Sequence, residues 1–107
     1  MANTYKNAKV DLTTTNATTV LTTPVGSTNI IKSILASEDS GNADTITLTI
    51  TDTASAVFSL FKVKAVGANT TVELLTQPLV LQDSEILKAT AATANRLHFV
   101  VSYLEIS

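Results

Sequence analysis

The sequence predicts an all-β domain: an antiparallel β-sandwich of jelly-roll type, with about eight strands and little or no helix. The segment 44–52 reads DTITLTITD, in which threonines alternate with Ile46, Leu48 and Ile50. A period of two is typical of a strand with one apolar face. Turn residues also separate short apolar runs every eight to twelve positions, as in a sandwich or small barrel. Threonine, a β-branched residue suited to strands, makes up between a sixth and a fifth of the chain.

Length and composition describe one small domain. A chain of 107 residues is long enough for a single modest core. It contains no cysteine, so disulfides and thiolate metal sites are excluded. The net charge of −2 and the scattered lysines argue against binding to nucleic acid or to an anionic membrane. The opening MANTYKNAKVDL lacks the apolar run of a signal peptide, and no segment is apolar for long enough to span a bilayer.

The first third of the chain predicts an arm followed by three strands. Residues 1–8 are polar and aperiodic, so we expect an N-terminal arm anchored by Tyr5, with the sandwich in 9–107. The first strand is predicted from Val10 through Leu12 into the threonines 13–15. The second is predicted at 18–23, ending before Pro24, and the third at 29–37.

The third strand is apolar on both parities, and its spacing would also suit a helix. A short, β-branched run after a Pro-x-Gly turn favours a strand. Only the polar link 38–43 separates it from 44–52, which predicts a hairpin between the two. The remaining strands are predicted at 57–66, 70–75, 79–81, 86–92 and 96–106.

Several of these strands carry apolar residues on both faces, more than one core in so small a domain requires. Either loops cover the second face, or another subunit does. We favour oligomerisation. Phe58, Phe61 and Phe99 are predicted to belong to the core.

Few residues suggest chemistry. His98 is the only histidine, without a second histidine or a cysteine to complete a metal site, and is predicted to lie at the surface or in an interface. Glu38, Asp39 and Asp44 could offer oxygen ligands to calcium, but their spacing differs from the EF-hand loop, and solvated loop acids are the more ordinary interpretation. Asp83 is expected to cap a β-turn.

An enzyme is not predicted. The sequence has no GxSxG elbow and no glycine-rich phosphate loop, and its few aromatic residues make a poor nucleic-acid or sugar platform. We therefore assign no catalytic residue, no cofactor and no metal site. The candidate interface residues are Tyr5, Lys6, Thr47, Thr49 and His98.

From Val20 onward the chain resembles small virion proteins of tailed bacteriophages. The segment TPVGSTNIIKSILASEDSGNADTITLTITD has their Pro-x-Gly turn, "IIKSI" strand, polar Ser-Gly-Asn turn and alternating Thr/Ile strand. The segment TTVELLTQPLVLQDSEILKATAATANRLHFVVSYLEIS resembles their "ELL…PLVLxxxDxLKAxA" strands and closing "VSYLEIS". Glu85 stands where that pattern has an aspartate.

The resemblance implies a β-sandwich that decorates or cements the capsid. It implies binding to the major capsid protein of the same virion, association of identical subunits with a trimer favoured, and a location on the capsid surface after synthesis in the host cytoplasm. A tail, neck or fibre component that binds a receptor or glycan is the alternative. Neither nucleic acid nor a membrane is an expected partner.

Overall fold

The described part of the chain folds into nine strands in two antiparallel sheets. The structure, a computed structural model, describes residues 3–107, and these contain no helix. The strands are β1 (Asn3–Leu12), β2 (Thr18–Thr22), β3 (Thr28–Glu38), β4 (Asp44–Thr51), β5 (Val57–Val66), β6 (Thr71–Glu73), β7 (Leu79–Leu81), β8 (Ile86–Ala91) and β9 (Leu97–Ile106). Over this part of the chain there is accordingly no helix that is long and apolar enough to cross a membrane.

The two sheets have the strand order of a jelly roll. The five-stranded sheet runs β1-β9-β3-β6, with β7 also paired to β3, and the four-stranded sheet runs β2-β8-β4-β5. Because β6 and β7 pair with successive parts of β3, they act as one interrupted strand. The predicted all-β, jelly-roll-like sandwich is confirmed.

The core lies between the sheets and follows the predicted alternation. Ile46 and Leu48 of β4 are fully buried, and their threonine neighbours are half-buried on the opposite face. Phe99 of β9 packs opposite them at 1% exposure. The prediction for Phe58 was wrong: its side chain is 56% exposed, because β5 is the terminal strand of its sheet. Phe61 is partly buried against the core.

The predicted hairpin between the third and fourth strands was also wrong. Strand β3 pairs with β9, β6 and β7, and β4 lies in the other sheet between β8 and β5. The connection 39–43 folds around the buried carboxylate of Glu38 and carries the chain across the sandwich. Although this connection is short, β3 and β4 need not pair with each other, because hydrogen bonds to Glu38 hold its backbone in a path that leads to the other sheet.

Strand β1 begins earlier than predicted. It pairs with β9 along its whole length, from Asn3 opposite Ile106 to Leu12 opposite Leu97. Residues 3–8 of the predicted arm are therefore hydrogen-bonded strand here, and residues 1 and 2 lie outside the described residues. The predicted continuation into 13–15 was wrong: Leu12 is fully buried, and the chain then crosses to the other sheet.

Strand β5 carries irregularities opposite β4. The pairing shifts between Ile46 and Leu48, where β5 has one residue more than β4, and the bulge includes Val63. The backbone N–H of Val63 donates to Oγ1 of Thr47 at 3.1 Å. Val63 has φ of 54°, which is costly for a β-branched residue. Bulges of this kind bend terminal strands away from regular pairing.

The core position of Leu48 gives a first test. Leu48→Ala should lower the free energy of unfolding by about 2–5 kcal/mol, and Leu48→Asp should unfold the domain by burying an unpaired charge. Urea titration followed by circular dichroism measures both. Thr49→Lys on the opposite face of β4 is the control and should melt like the parent; a stable Leu48→Asp variant would show that the core is misplaced.

The strained backbone of Val63 gives a second test. Val63→Gly should stabilise the protein by roughly 1 kcal/mol, since glycine tolerates positive φ and the lost valine is 61% exposed. Val57→Gly, at an exposed position of the same strand without positive φ, should destabilise instead. Equal melting temperatures for the two variants would contradict the argument.

Candidate interaction surfaces

The outward side of the five-stranded sheet, called here the outer face, is partly apolar. Its side chains alternate with the buried residues of β1, β9 and β3. The pairing register aligns four apolar residues of four strands in one cross-strand row: Tyr5, Leu104, Ile30 and Val80. Tyr5 is 76% and Val80 50% exposed, and the two between them are half-buried. A solvated outward face of an antiparallel sheet is normally polar.

A second row of the outer face mixes apolar and charged residues. It runs Lys9, Val100, Leu35 and Glu73 across β1, β9, β3 and β6. The two charges stand at opposite ends of the row. Glu73 fills the gap between β6 and β7, where its carboxylate accepts hydrogen bonds from the N–H groups of Ile34 and Leu75 and from the Ser33 hydroxyl.

The outward side of the four-stranded sheet, called here the threonine face, differs in chemistry. Thr45, Thr47, Thr49 and Thr51 of β4 point outward, and the register places Thr90 and Lys88 of β8 opposite Thr47 and Thr49. All four threonines of β4 are half-buried. This face offers hydroxyl groups where the outer face offers hydrocarbon.

A further apolar area lies at one end of the sandwich and along the side closed by β5. Val25, in the connection between β2 and β3, is 85% exposed, and Val57 and Phe58 at the start of β5 are 62% and 56% exposed. A groove continues from β5 to the segment joining β6 and β7, lined by Leu60, Phe61, Leu74, Leu75 and Leu79 among others.

His98 lies on the outer face between two carboxylates. Its Nε2 is 3.1 Å from Oδ1 of Asp11, its register partner on β1, and its Nδ1 is 3.7 Å from Oδ2 of Asp39. All three side chains are between two-fifths and seven-tenths exposed. A histidine that activates a nucleophile as a general base forms a hydrogen bond to that nucleophile with one ring nitrogen, and to an orienting group with the other. Here both nitrogens face acids.

Glu38 is a buried carboxylate at the end of β3. Its residue is 1% exposed, and the carboxylate accepts hydrogen bonds from the Ser40 hydroxyl and from the N–H groups of Ser40, Gly41, Asn42 and Asn69 at 2.8–3.1 Å. The Ser40 hydroxyl, followed by the backbone donors, lowers the Glu38 pKa from 4.5 to about 2, and burial opposes that shift. Glu38 therefore stays ionised and holds two loops together.

The three acids that could have bound calcium, Glu38, Asp39 and Asp44, each contact a different group of the protein. The Glu38 oxygens face backbone donors, Asp39 faces His98, and Oδ2 of Asp44 accepts the N–H of Thr93 at 3.1 Å. Across residues 3–107, no group of three or more histidine, aspartate or glutamate side chains is placed to hold a metal ion. The structure thus does not assemble that site.

Asp83, predicted to cap its own β-turn, also binds a distant part of the chain. Its carboxylate accepts the Ser84 hydroxyl at 2.6 Å and, from the β2–β3 connection, the N–H of Gly26 at 2.7 Å. Both bonds lower the Asp83 pKa, and the bond from the Ser84 hydroxyl contributes more than the bond from Gly26. The carboxylate therefore joins two connections at the same end of the sandwich.

The structure separates the predicted interface residues. Tyr5 and His98 lie on the outer face, and Thr47 and Thr49 lie on the threonine face. Lys6 points to the sandwich side of β1 and forms a 3.1 Å ion pair with Glu105. Sequence reasoning missed Ile30, Leu104 and Val80. Their apolar, strand-forming character was visible, but only the register places them in one row with Tyr5.

No protein-family model matches the chain, and no curated protein matches its sequence.

The buried carboxylate predicts a pH dependence. Because the folded pKa of Glu38 is about 2 against an ordinary 4.5, its contribution to stability is present above about pH 4.5 and is lost as the pH falls toward 2. Urea midpoints of the parent protein should fall across that range. Glu38→Gln should unfold at lower urea at pH 7 and lose less on acidification.

Asp83→Asn is the matched control for this experiment. The lowered Asp83 pKa gives a contribution of the same sign, so each variant should remove only part of the acid sensitivity. A Glu38→Gln variant with the parent's full pH dependence would contradict the role given to Glu38.

Proposed function

We propose that this chain is a non-enzymatic structural protein of a bacteriophage virion, a capsid decoration or cement protein that binds the assembled shell. The observation that carries the proposal is the apolar surface left exposed on this small sandwich. It comprises the end with Val25, Val57 and Phe58 and the apolar row on the outer face, Tyr5–Leu104–Ile30–Val80. Contiguous exposed hydrocarbon on a small sandwich marks a protein contact, because such a surface gains free energy when water leaves it.

The sequence resemblance supplies the biological setting of the proposal. Its motifs coincide with parts of this fold: the "IIKSI" run lies in β3, the alternating threonines form β4, and "VSYLEIS" covers the end of β9. Leu104 and Ile30 of the apolar row fall within two of these motifs. In this proposal the major capsid protein is the partner, and identical copies associate on the virion.

Shell stabilisation would follow from mass action. A protein that binds the assembled lattice, and not its separated subunits, stabilises the lattice by the free energy of that binding. A threonine face without acidic groups and an exposed apolar end with Val25, Val57 and Phe58 both suit close approach to another protein. The carboxylates of Glu38 and Asp44 accept backbone N–H groups and so serve the fold.

Localisation of the protein in virions tests the proposal. Antibody raised against the purified chain and coupled to gold should label the shells of intact virions from the organism that carries the gene, as seen by electron microscopy. Antibody absorbed with the purified chain is the control and should not label. Label on tails or fibres would favour the receptor- or glycan-binding alternative, and absence of the chain from purified virions would overturn the proposal.

A further inference from the structure

We propose that the outer face binds the outer face of a second copy, with a two-fold axis lying between the sheets, parallel to the strands and between β9 and β3. This inference rests on the proposed function only in taking the outer face as a protein contact. It names the partner as an identical chain, and it proposes a two-fold pair where the sequence resemblance implies a trimer.

The apolar row is self-complementary under this axis. The rotation keeps the position along the strands and reverses the order of the strands, so β1 of one copy faces β7 and β6 of the other. Tyr5 then lies over Val80 of the second copy, and Leu104 lies over Ile30. The symmetry repeats both contacts, as in any isologous interface.

Charge supports the same axis. In the second row the rotation places Lys9 over Glu73 of the second copy, and Val100 over Leu35. Both ends of the row thus meet an opposite charge. An axis perpendicular to the strands would instead keep each strand over itself and exchange the two ends of the sheet, which removes the Lys9–Glu73 match.

The remaining charged residues of the outer face are of both signs. Lys32, at the bulge of β3, shares a shallow hollow with Tyr5 and Ser102, and Asp11 lies beside His98 at the other end. Two lysines and His98 therefore accompany three carboxylates, Asp11, Asp39 and Glu73, so two copies can approach without a large charge of one sign. Lys32 can extend along the polar strip that Ser102 and Ser33 form between the two rows.

The area is sufficient for a stable pair. Strands of about ten residues, spaced at about 4.8 Å across four positions, give a face of roughly 600 Å² per copy. Two copies would bury on the order of 1,200 Å², the lower end of the range for specific interfaces.

Cross-linking tests the register, because the chain has no native cysteine. The Tyr5→Cys and Val80→Cys variants are made separately and mixed, with a bismaleimide spacer that matches the roughly 10 Å between packed sheets. The mixture should give a covalent dimer. Each variant alone should not, since the axis holds identical residues of these two strands about 17 Å apart.

Thr49→Cys on the threonine face is the control partner and should give no dimer with Tyr5→Cys. Equal cross-linking of the single variants, or none in the Tyr5→Cys and Val80→Cys mixture, would overturn the proposed axis.

Light scattering tests the dimer itself. The purified chain should have twice its mass of 11.3 kDa at about 100 µM, and Val80→Lys should return it to a monomer with unchanged circular dichroism. Thr49→Lys adds the same charge to the other sheet and should remain dimeric. A monomeric or trimeric parent, or a dimeric Val80→Lys variant, would overturn the inference. Virion labelling with a monomeric chain would refute only the dimer, and a dimer absent from virions would refute only the proposed function.

Discussion

The jelly roll depends on the carboxylate of Glu38. The chain passes from one sheet to the other between β3 and β4, and returns between β5 and β6, at the same end of the sandwich. Glu38 accepts N–H groups from both crossings, Ser40 to Asn42 in the first and Asn69 in the second. Its own N–H donates to the Thr70 carbonyl. Without this acceptor, those backbone donors would need other partners at a partly buried site, which is costly. One ionised side chain therefore joins two of the connections at which the chain changes sheets.

Other charged residues join crossings in the same way. Asp83 holds the β2–β3 and β7–β8 connections together, while Asp44 binds the β8–β9 connection through Thr93. Arg96 donates to the Ala43 carbonyl at 3.1 Å and links that connection to the one that precedes β4. These charged groups are dispersed over the two ends of the sandwich because the connections between the sheets, which they join, lie there. The acids are thus spread over several connections, and the two sheet faces are left as the broad continuous surfaces of the sandwich.

The sequence contains enough information to predict the strands but not their pairing. Period-two alternation identified β4 and its buried Leu48, since burial of one face is a local property of the strand. The sheet neighbours of β4 involve contacts between distant parts of the chain, and the contact of Glu38 with Asn69, 31 residues away, is one that no local pattern reveals. The outer face could likewise be predicted only in part. Apolar residues on both parities of β3 and β9 indicated a second apolar surface. The row from Tyr5 to Val80, however, is formed by the register of four strands, which the sequence does not reveal.

A two-fold axis parallel to the strands would link the two proposals geometrically. Because the rotation preserves the position along the strands, the same end of the sandwich lies on the same side of the dimer in both copies. The end that carries exposed Val25, Val57 and Phe58 would then appear twice on one side of the dimer. In the proposed assembly, a subunit pair that stands on this end would have two equal contact sites and would reach two neighbouring capsid subunits at once. Linked sites of this kind bind a lattice more tightly than either site alone, because the second contact forms at high effective concentration. The apolar outer face would thus serve attachment to the shell indirectly, by pairing the ends that touch it.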